Sequence, residues 1–232
     1  MSKFDWFYDE VRQVGTDFTN MEQVKKYDSN MSDRSGEVKK LISVLKLDGS
    51  QTVLEIGTGT GSIAVGLASA CKHFYAIDVS KTMLEYASEK ARLHEVDNIT
   101  FNHGGFLTYQ HIKEPIHRII SHFALHHLPD FWKSIAIQRM YDQLEVGGVL
   151  YLQDVVYSFP VRNYEESIDS WIEDMTRNGS SFQEAEWCAH VRDEYSTFGW
   201  ILEGMLRNSG FLLMSAEYSG NTYATYMCKK EN

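Results

Sequence analysis

Val53-Leu54-Glu55-Ile56-Gly57-Thr58-Gly59-Thr60-Gly61 is the stretch on which the fold turns. Four residues of a buried strand run straight into a turn with a glycine at every second position. Ser62-Ile63-Ala64-Val65-Gly66-Leu67 then reads as a helix of small and apolar residues. A strand, a glycine turn and a helix in that order build the first half of a nucleotide-type pocket, because glycine lets a ligand approach the backbone closely. The second half is an acid at the end of the next strand. Phe74–Ile77 is that strand and Asp78 is that acid, about twenty residues after the first glycine, where a carboxylate can accept hydrogen bonds from vicinal ribose hydroxyls. No Gly-Lys-Ser/Thr follows the glycines, so the turn is not a Walker A loop and ATP hydrolysis is not expected.

Outward from this turn the chain alternates. Strands are expected at Thr52–Ile56, Phe74–Ile77, Ile99–Asn102, Ile116–Ser121, Val149–Val156, Leu212–Tyr218 and Tyr223–Cys228. Helices are expected at Ser35–Leu45, Ser62–Cys71, Lys81–His94, Phe131–Leu144 and Thr197–Arg207, with Thr82 and Glu85 spaced as a capping box. Phe4, Phe7, Tyr8 and Val11 recur at helical spacing near the N-terminus. Repeated strand–helix pairs imply right-handed crossovers. Gly220-Asn221 fits a hairpin between the last two strands. The fold class is therefore α/β, a Rossmann-like, mostly parallel seven-stranded sheet with an antiparallel C-terminal edge strand, plus a helical cap. Residues 1–232 make one domain; helices within 1–46 cover the ligand site, and 158–196 is the cap, broken in two at Asn178-Gly179-Ser180-Ser181.

Composition narrows the partners. The 232 residues carry a formal net charge of −10, which repels nucleic-acid phosphates and anionic lipid. Nine acids and three arginines between Arg162 and Glu194 make the cap net −6, favouring a neutral or cationic small molecule over a phosphorylated one. Cys71, Cys188 and Cys228 form no CxxC pair, which argues for a reducing compartment. No apolar run approaches membrane-spanning length, and Met1-Ser2-Lys3-Phe4-Asp5-Trp6 lacks a signal peptide's apolar core. The expectation is a cytoplasmic protein, monomer or homodimer, with no membrane or nucleic-acid partner.

The chain resembles class I S-adenosylmethionine-dependent methyltransferases over roughly Tyr27 to Lys229. The likeness is carried by VLEIGTGTG (Val53–Gly61), FYAIDVSKTML (Phe74–Leu84), SHFALHHLPD (Ser121–Asp130) and LEVGGVLYLQDV (Leu144–Val155), in that order. The resemblance implies S-adenosylmethionine as cofactor and S-adenosylhomocysteine as product. On matching positions it implies that Glu55 orients the loop near the methionine amino group and that Gly57 and Gly59 line the methionine and ribose. Asp78 would bind the ribose, with Val79 and Met83 beside the adenine. Ser121 would close the methionine side with Phe123 nearby, and Tyr27 and Arg34 resemble an N-terminal pair packed over that end. Two positions depart from the family pattern. Gly104-Gly105-Phe106 stands where members carry Gly-Asp, so Gly105 offers no carboxylate to the adenine and the Phe106 N–H remains. Ile116-His117 replaces the usual Phe-Asp. The Asx-Pro-Pro-aromatic signature of nucleobase amino-methyltransferases is also absent, since the chain has Ser121-His122-Phe123-Ala124.

Methyl transfer to a small organic acceptor is the leading functional expectation. Other S-adenosylmethionine chemistry on the same scaffold, or a non-catalytic binding protein, stands beside it. His126, as a base or substrate contact, Asp154 at the end of the fifth strand, and His190 are the candidate catalytic residues. His127, Trp171, Arg192 and Tyr195 are candidate substrate contacts. For all of them, packing or a cap role is the competing reading, and Asp193 and Glu194 are placed to occupy Arg192. His122 and His126 are four apart, but without an HExxH motif no metal site is expected.

Overall fold

The computed structural model describes residues 4–12, 18–30, 34–177 and 184–231. The expected Asn178–Ser181 break lies outside them. In chain order the elements are α1 (Met21–Asn30), α2 (Ser35–Leu45), β1 (Thr52–Ile56), α3 (Ser62–Leu67), β2 (His73–Asp78), α4 (Lys81–Leu93), β3 (Ile99–His103), β4 (Ile116–His122), α5 (Asp130–Gln143), β5 (Leu144–Tyr157), α6 (Tyr164–Arg177), α7 (Glu184–Asp193), β6 (Thr197–Phe198), α8 (Gly199–Asn208), β7 (Leu212–Ser219) and β8 (Tyr223–Lys229).

The main sheet has the order β3-β2-β1-β4-β5-β8-β7, and the two-residue β6 pairs off the end of β5. Strands β1 to β5 pair in parallel. Strand β8 runs antiparallel to β5 on one side and to β7 on the other. The C-terminal strand therefore sits one place in from the edge, with β7 outermost. The hairpin that allows this has a three-residue connection, 220–222, and turns through two left-handed residues, Gly220 (φ +60°) and Asn221 (φ +61°).

Strand β1 is buried along its whole length, and its alternate side chains enter two different cores. Leu54 and Ile56 join the cluster with Ala136, Ile137 and Met140 of α5 and Leu202 and Leu206 of α8. Val53 joins Leu41 and Leu45 of α2 and Ile63 and Leu67 of α3 on the other face. A strand covered on both faces has no polar side to expose, which is why Val53-Leu54-Glu55-Ile56 is apolar except at Glu55. Strand order reverses at β1 and β4, so the crevice beyond their carboxyl ends is the natural binding position.

Three local expectations change. Residues 4–12 form turns without a helix. Their rings pack on a tertiary partner instead, with Phe7 and Tyr8 5.0 and 6.0 Å from the Trp132 ring of α5. Helix α4 is capped by Ser80, whose hydroxyl accepts the Met83 N–H at 3.2 Å; Thr82 bonds outward to the Thr19 carbonyl. Thr197 and Phe198 extend along β5 before α8 begins.

Helices α6 and α7 stand over the crevice. Trp171 anchors them in a cluster with Val155, Tyr157 and Phe159.

Candidate active site

The crevice is a cavity of about 830 Å³. Its floor is the turn after β1, where Gly57, Gly59 and Gly61 all have positive φ (+84°, +53° and +74°). A Cβ on Gly57 would lie 2.3 Å from the Ala124 Cβ, and one on Gly61 would lie 2.7 Å from the Ala87 Cβ. Those two glycines let the β4 loop and α4 close on the turn. A Cβ on Gly59 would meet nothing, so it faces open space.

The N–H groups of Gly57 and Thr58 donate to the Ile77 carbonyl, that of Gly61 to Thr58, and that of Gly59 to Asp78 Oδ2 at 2.8 Å. A phosphate-binding turn keeps such donors free for the anion. This one spends them on its own shape, which suits a ligand without phosphate. Asp78 Oδ1 accepts the Ser80 N–H at 2.8 Å, so backbone donors hold both carboxylate oxygens in place. Burial raises the Asp78 pKa against the pull of its backbone donors and of His103.

Val79, Met83, Gly105 and Phe106 line the end of the cavity beside β2. Beside Gly105 a carboxylate arrives from elsewhere in the chain. Glu10 accepts the N–H groups of Leu107 (2.9 Å) and Thr108 (2.8 Å) and the Thr108 hydroxyl (2.6 Å). A Cβ on Gly105 would lie 2.5 Å from Glu10 Oε2. Glu10 lines the cavity too. Nearby, Ser80 Oγ donates to the Phe18 carbonyl at 2.6 Å, drawing residues 18–19 across the start of α4.

At the other end, Tyr27, Arg34 and Glu55 line the wall. Burial pushes Glu55 up to about 8, and the 2.6 Å hydrogen bond it accepts from the Thr58 hydroxyl offsets this only in part. Arg34 pairs with Glu37 at 3.1 Å, and His122 Nε2 lies 2.5 Å from the other Glu37 oxygen. Ser121, expected here, is fully buried in β4 and does not line the cavity; its hydroxyl finds no hydrogen-bond partner among the described residues. The side chains of a strand alternate, so His122 takes the cavity-facing position. Phe123 follows with φ +52°, a conformation a bulky side chain adopts only under constraint, and its ring enters the cavity wall.

Opposite the glycine turn, four titratable groups join in a chain. Asp154 accepts the His126 backbone N–H at 3.1 Å and lies 2.5 Å from its Nδ1. His126 Nε2 lies 3.2 Å from Glu194 Oε2, and the same oxygen meets His190 Nδ1. His190 Nε2 lies 3.0 Å from the Ser196 hydroxyl. Burial opposes a charge on His126, but Asp154 and Glu194 outweigh it and push its pKa up to about 10. Burial likewise opposes the charge on Glu194, yet its hydrogen bonds to His126 and His190 hold the carboxyl far below its usual range. Adjacent His127 is driven the other way, to about 4, by burial and then by repulsion from His126. With no other ligand bound, the two flanking carboxylates favour the protonated form of His126, which works against a role for it as a proton acceptor.

His126, His127, His190, Tyr195 and Glu194 reach the cavity; Asp154 lies behind His126. Two expected contacts do not reach it. Trp171 is buried in the cap, with Nε1 donating to the Tyr223 hydroxyl at 3.2 Å. Arg192 is mostly exposed and forms a bidentate pair with Asp193. Glu10, His122 and Glu194 are among the cavity residues that were not expected as site residues. Of these, His122 had a signal, its membership of the Ser121–Asp130 motif.

A family model described as a methyltransferase domain matches residues 53–148. An uncharacterized methyltransferase of Anoxybacillus flavithermus is 31% identical over 159 residues, 68% of either chain. One of Geobacillus thermodenitrificans is 27% identical over 196 residues, 84% of this chain and 85% of the relative. A solved S-adenosylmethionine-dependent methyltransferase from Aquifex aeolicus shares the fold with a TM-score of 0.65 at 16% identity, over 91% of this chain and 98% of that one. The chain belongs to the class I S-adenosylmethionine-dependent methyltransferases. It is an enzyme of that class, with S-adenosylmethionine as methyl donor and S-adenosylhomocysteine as product. Among the described residues no helix is long and apolar enough to cross a membrane.

Proposed function

We propose that this methyltransferase acts on a small organic acceptor, neutral or cationic, enclosed beneath α6 and α7. The observation that carries this reading is a single cavity with two unlike halves. One half is the glycine turn with Asp78; the other is the His126–Glu194 network under the cap. S-adenosylmethionine lies along the first half. Asp78 takes the ribose hydroxyls, Val79, Met83 and the Phe106 N–H flank the adenine, and Glu10 supplies a carboxylate to the adenine amino group. Glu55, Tyr27 and Arg34 surround the methionine end. The methyl group then faces the second half.

Transfer is an in-line displacement. The acceptor's lone pair forms a bond to the methyl carbon as the carbon–sulfur bond breaks, and its electron pair stays on sulfur. Catalysis of this kind comes chiefly from alignment and exclusion of water, which a closed cap provides. The cap's net charge of −6, with Glu186 on the cavity wall, favours a cationic or hydrogen-bond-donating acceptor. Asp154 and His190 position His126 and Glu194, and His127 and Tyr195 border the acceptor. Residues 1–46 and 158–196 act as the two covers of one domain, over the cofactor and the acceptor respectively.

The test is release of S-adenosylhomocysteine with a panel of small amines, thiols and hydroxy compounds, run alongside Asp78→Ala. Turnover with a compact neutral or cationic acceptor, abolished in the variant, is expected. Turnover confined to a macromolecular or phosphorylated acceptor would refute the reading.

A further inference from the structure

We propose that His126, His127 and Glu194 form a binding site for a divalent transition-metal cation at the acceptor end of the cavity, with Asp154 and His190 holding its ligands in place. One ligand atom from each of the three residues lies within 4.8 Å of the others. Ligand atoms around a cation held at about 2.1 Å lie roughly 3.0–3.4 Å apart. His126 Nε2 and Glu194 Oε2 are already 3.2 Å apart, so one edge of the coordination polyhedron is preformed. Small side-chain rotations bring in His127.

The surroundings match those of a metal ligand set. A ligating histidine commonly gives its other ring nitrogen to a carboxylate, which fixes its orientation. Here Asp154 holds His126 Nδ1 and also its backbone N–H. His190 Nδ1 meets Glu194 from the far side, while Ser196 engages His190 Nε2. The ring contacts keep the three imidazoles together, with His126 centred 4.3 Å from His127 and 5.1 Å from His190. Protonated His126 serves the two carboxylates with its two ring N–H groups, one to Asp154 and one to Glu194. A dication neutralises both carboxylates and uses the imidazole lone pairs as well.

Two imidazoles and one carboxylate select zinc, iron, cobalt or nickel over magnesium or calcium, which prefer oxygen ligands throughout. Three protein ligands leave a coordination position open. All three residues line the cavity, so that position faces the space beside the glycine turn. The acceptor is then a thiol, hydroxyl or amine whose heteroatom coordinates the cation. Coordination lowers its pKa, its proton leaves to solvent, and the remaining lone pair attacks the methyl carbon. This role rests on the methyl-transfer reading above; the site itself does not.

The experiment uses the full chain, stripped with a chelator and dialysed. Zinc is titrated calorimetrically and cobalt by visible absorption, with S-adenosylhomocysteine affinity measured in parallel. One equivalent of cobalt with ligand-field bands is expected. Glu194→Gln and His127→Asn should each weaken zinc binding more than about 10-fold, and Asp154→Asn by about 10-fold, the usual effect of a supporting carboxylate. S-adenosylhomocysteine affinity should stay within about twofold, which also certifies that each variant is folded. No stoichiometric binding by the wild type, or binding unchanged in both Glu194→Gln and His127→Asn, overturns the site while leaving the methyltransferase reading intact. Metal binding that responds to these substitutions in a protein with no cofactor affinity would support the site and remove the role given to it.

Discussion

Exchanging a carboxylate between two places tests the cofactor site most directly. Family members carry an acid at the position of Gly105, and this chain fills that space with Glu10. Glu10 accepts two backbone N–H groups and one hydroxyl at 2.6–2.9 Å. A buried hydrogen bond to a charged group contributes about 1.5–3 kcal/mol, and partial solvent exposure reduces this to roughly 1 kcal/mol each. Glu10→Ala should therefore release the segment and remove one contact to the adenine amino group. A loss of about 1.4–2.8 kcal/mol in binding is a 10- to 100-fold weaker S-adenosylhomocysteine. Gly105→Asp alone should also weaken binding, because its Cβ would sit 2.5 and 2.6 Å from Glu10 atoms. The Gly105 backbone does not require glycine, since its φ is not among the positive ones. In Glu10→Ala/Gly105→Asp, two of the three close contacts vanish, leaving Val79 Cγ1 at 2.7 Å, which a side-chain rotation relieves. The double variant should bind S-adenosylhomocysteine more tightly than either single one in calorimetric titration, with a coupling energy above about 1 kcal/mol. Additive losses would refute the equivalence of Glu10 and the missing acid.

Asp78→Ala should weaken S-adenosylhomocysteine at least about 100-fold by calorimetry, because it removes the ribose acceptor and frees the Gly59 N–H together. Glu55 titrates near 8 when buried without cofactor, above the ordinary carboxyl value, so its protonated form is favoured by folding. That contribution is full below the unfolded pKa and is lost as pH rises through about 8; an ammonium ion bound beside Glu55 should expel the proton, so cofactor affinity should climb between pH 6 and 8, and titrations in buffers of different ionisation enthalpy should detect proton release that Glu55→Gln abolishes. Gly57→Ala combines a positive φ with a Cβ 2.3 Å from Ala124 and should cost about 2–4 kcal/mol, lowering Tm by roughly 5–12 °C in calorimetric scans, whereas Gly59→Ala, with open space around its Cβ, should cost about half as much or less. Trp171→Ala should loosen the cap and raise the acceptor KM while leaving S-adenosylhomocysteine affinity unchanged, a split that steady-state kinetics and titration read separately.

What was legible in the sequence shared one property: its physical cause is local. The turn after β1 is readable because three positive-φ positions allow little but glycine. Strands β1 and β2 are readable because burial on both faces leaves mostly apolar runs. The cap of α4 was displaced by two residues, because Ser80 and Thr82 are both good capping residues and the choice depends on where β2 ends, at Asp78. The N-terminal aromatics matched helical spacing, yet Trp132, a tertiary partner, decides their conformation. The acceptor half fails this criterion of locality most clearly. Nothing around Glu194 distinguishes it from Asp193, its neighbour in an acidic cap. It acquires its environment because the Tyr195 N–H donates to the His126 carbonyl at 2.9 Å and the Tyr195 carbonyl accepts from buried Lys133, pinning this turn against the β4 loop. Glu10 is equally ordinary until it reaches Leu107 and Thr108. Both are acids that long-range contacts fasten to opposite ends of one cavity. A scaffold read from its local motifs therefore identifies the methyl donor, while the identity of the acceptor is written in residues whose neighbours only the folded chain supplies.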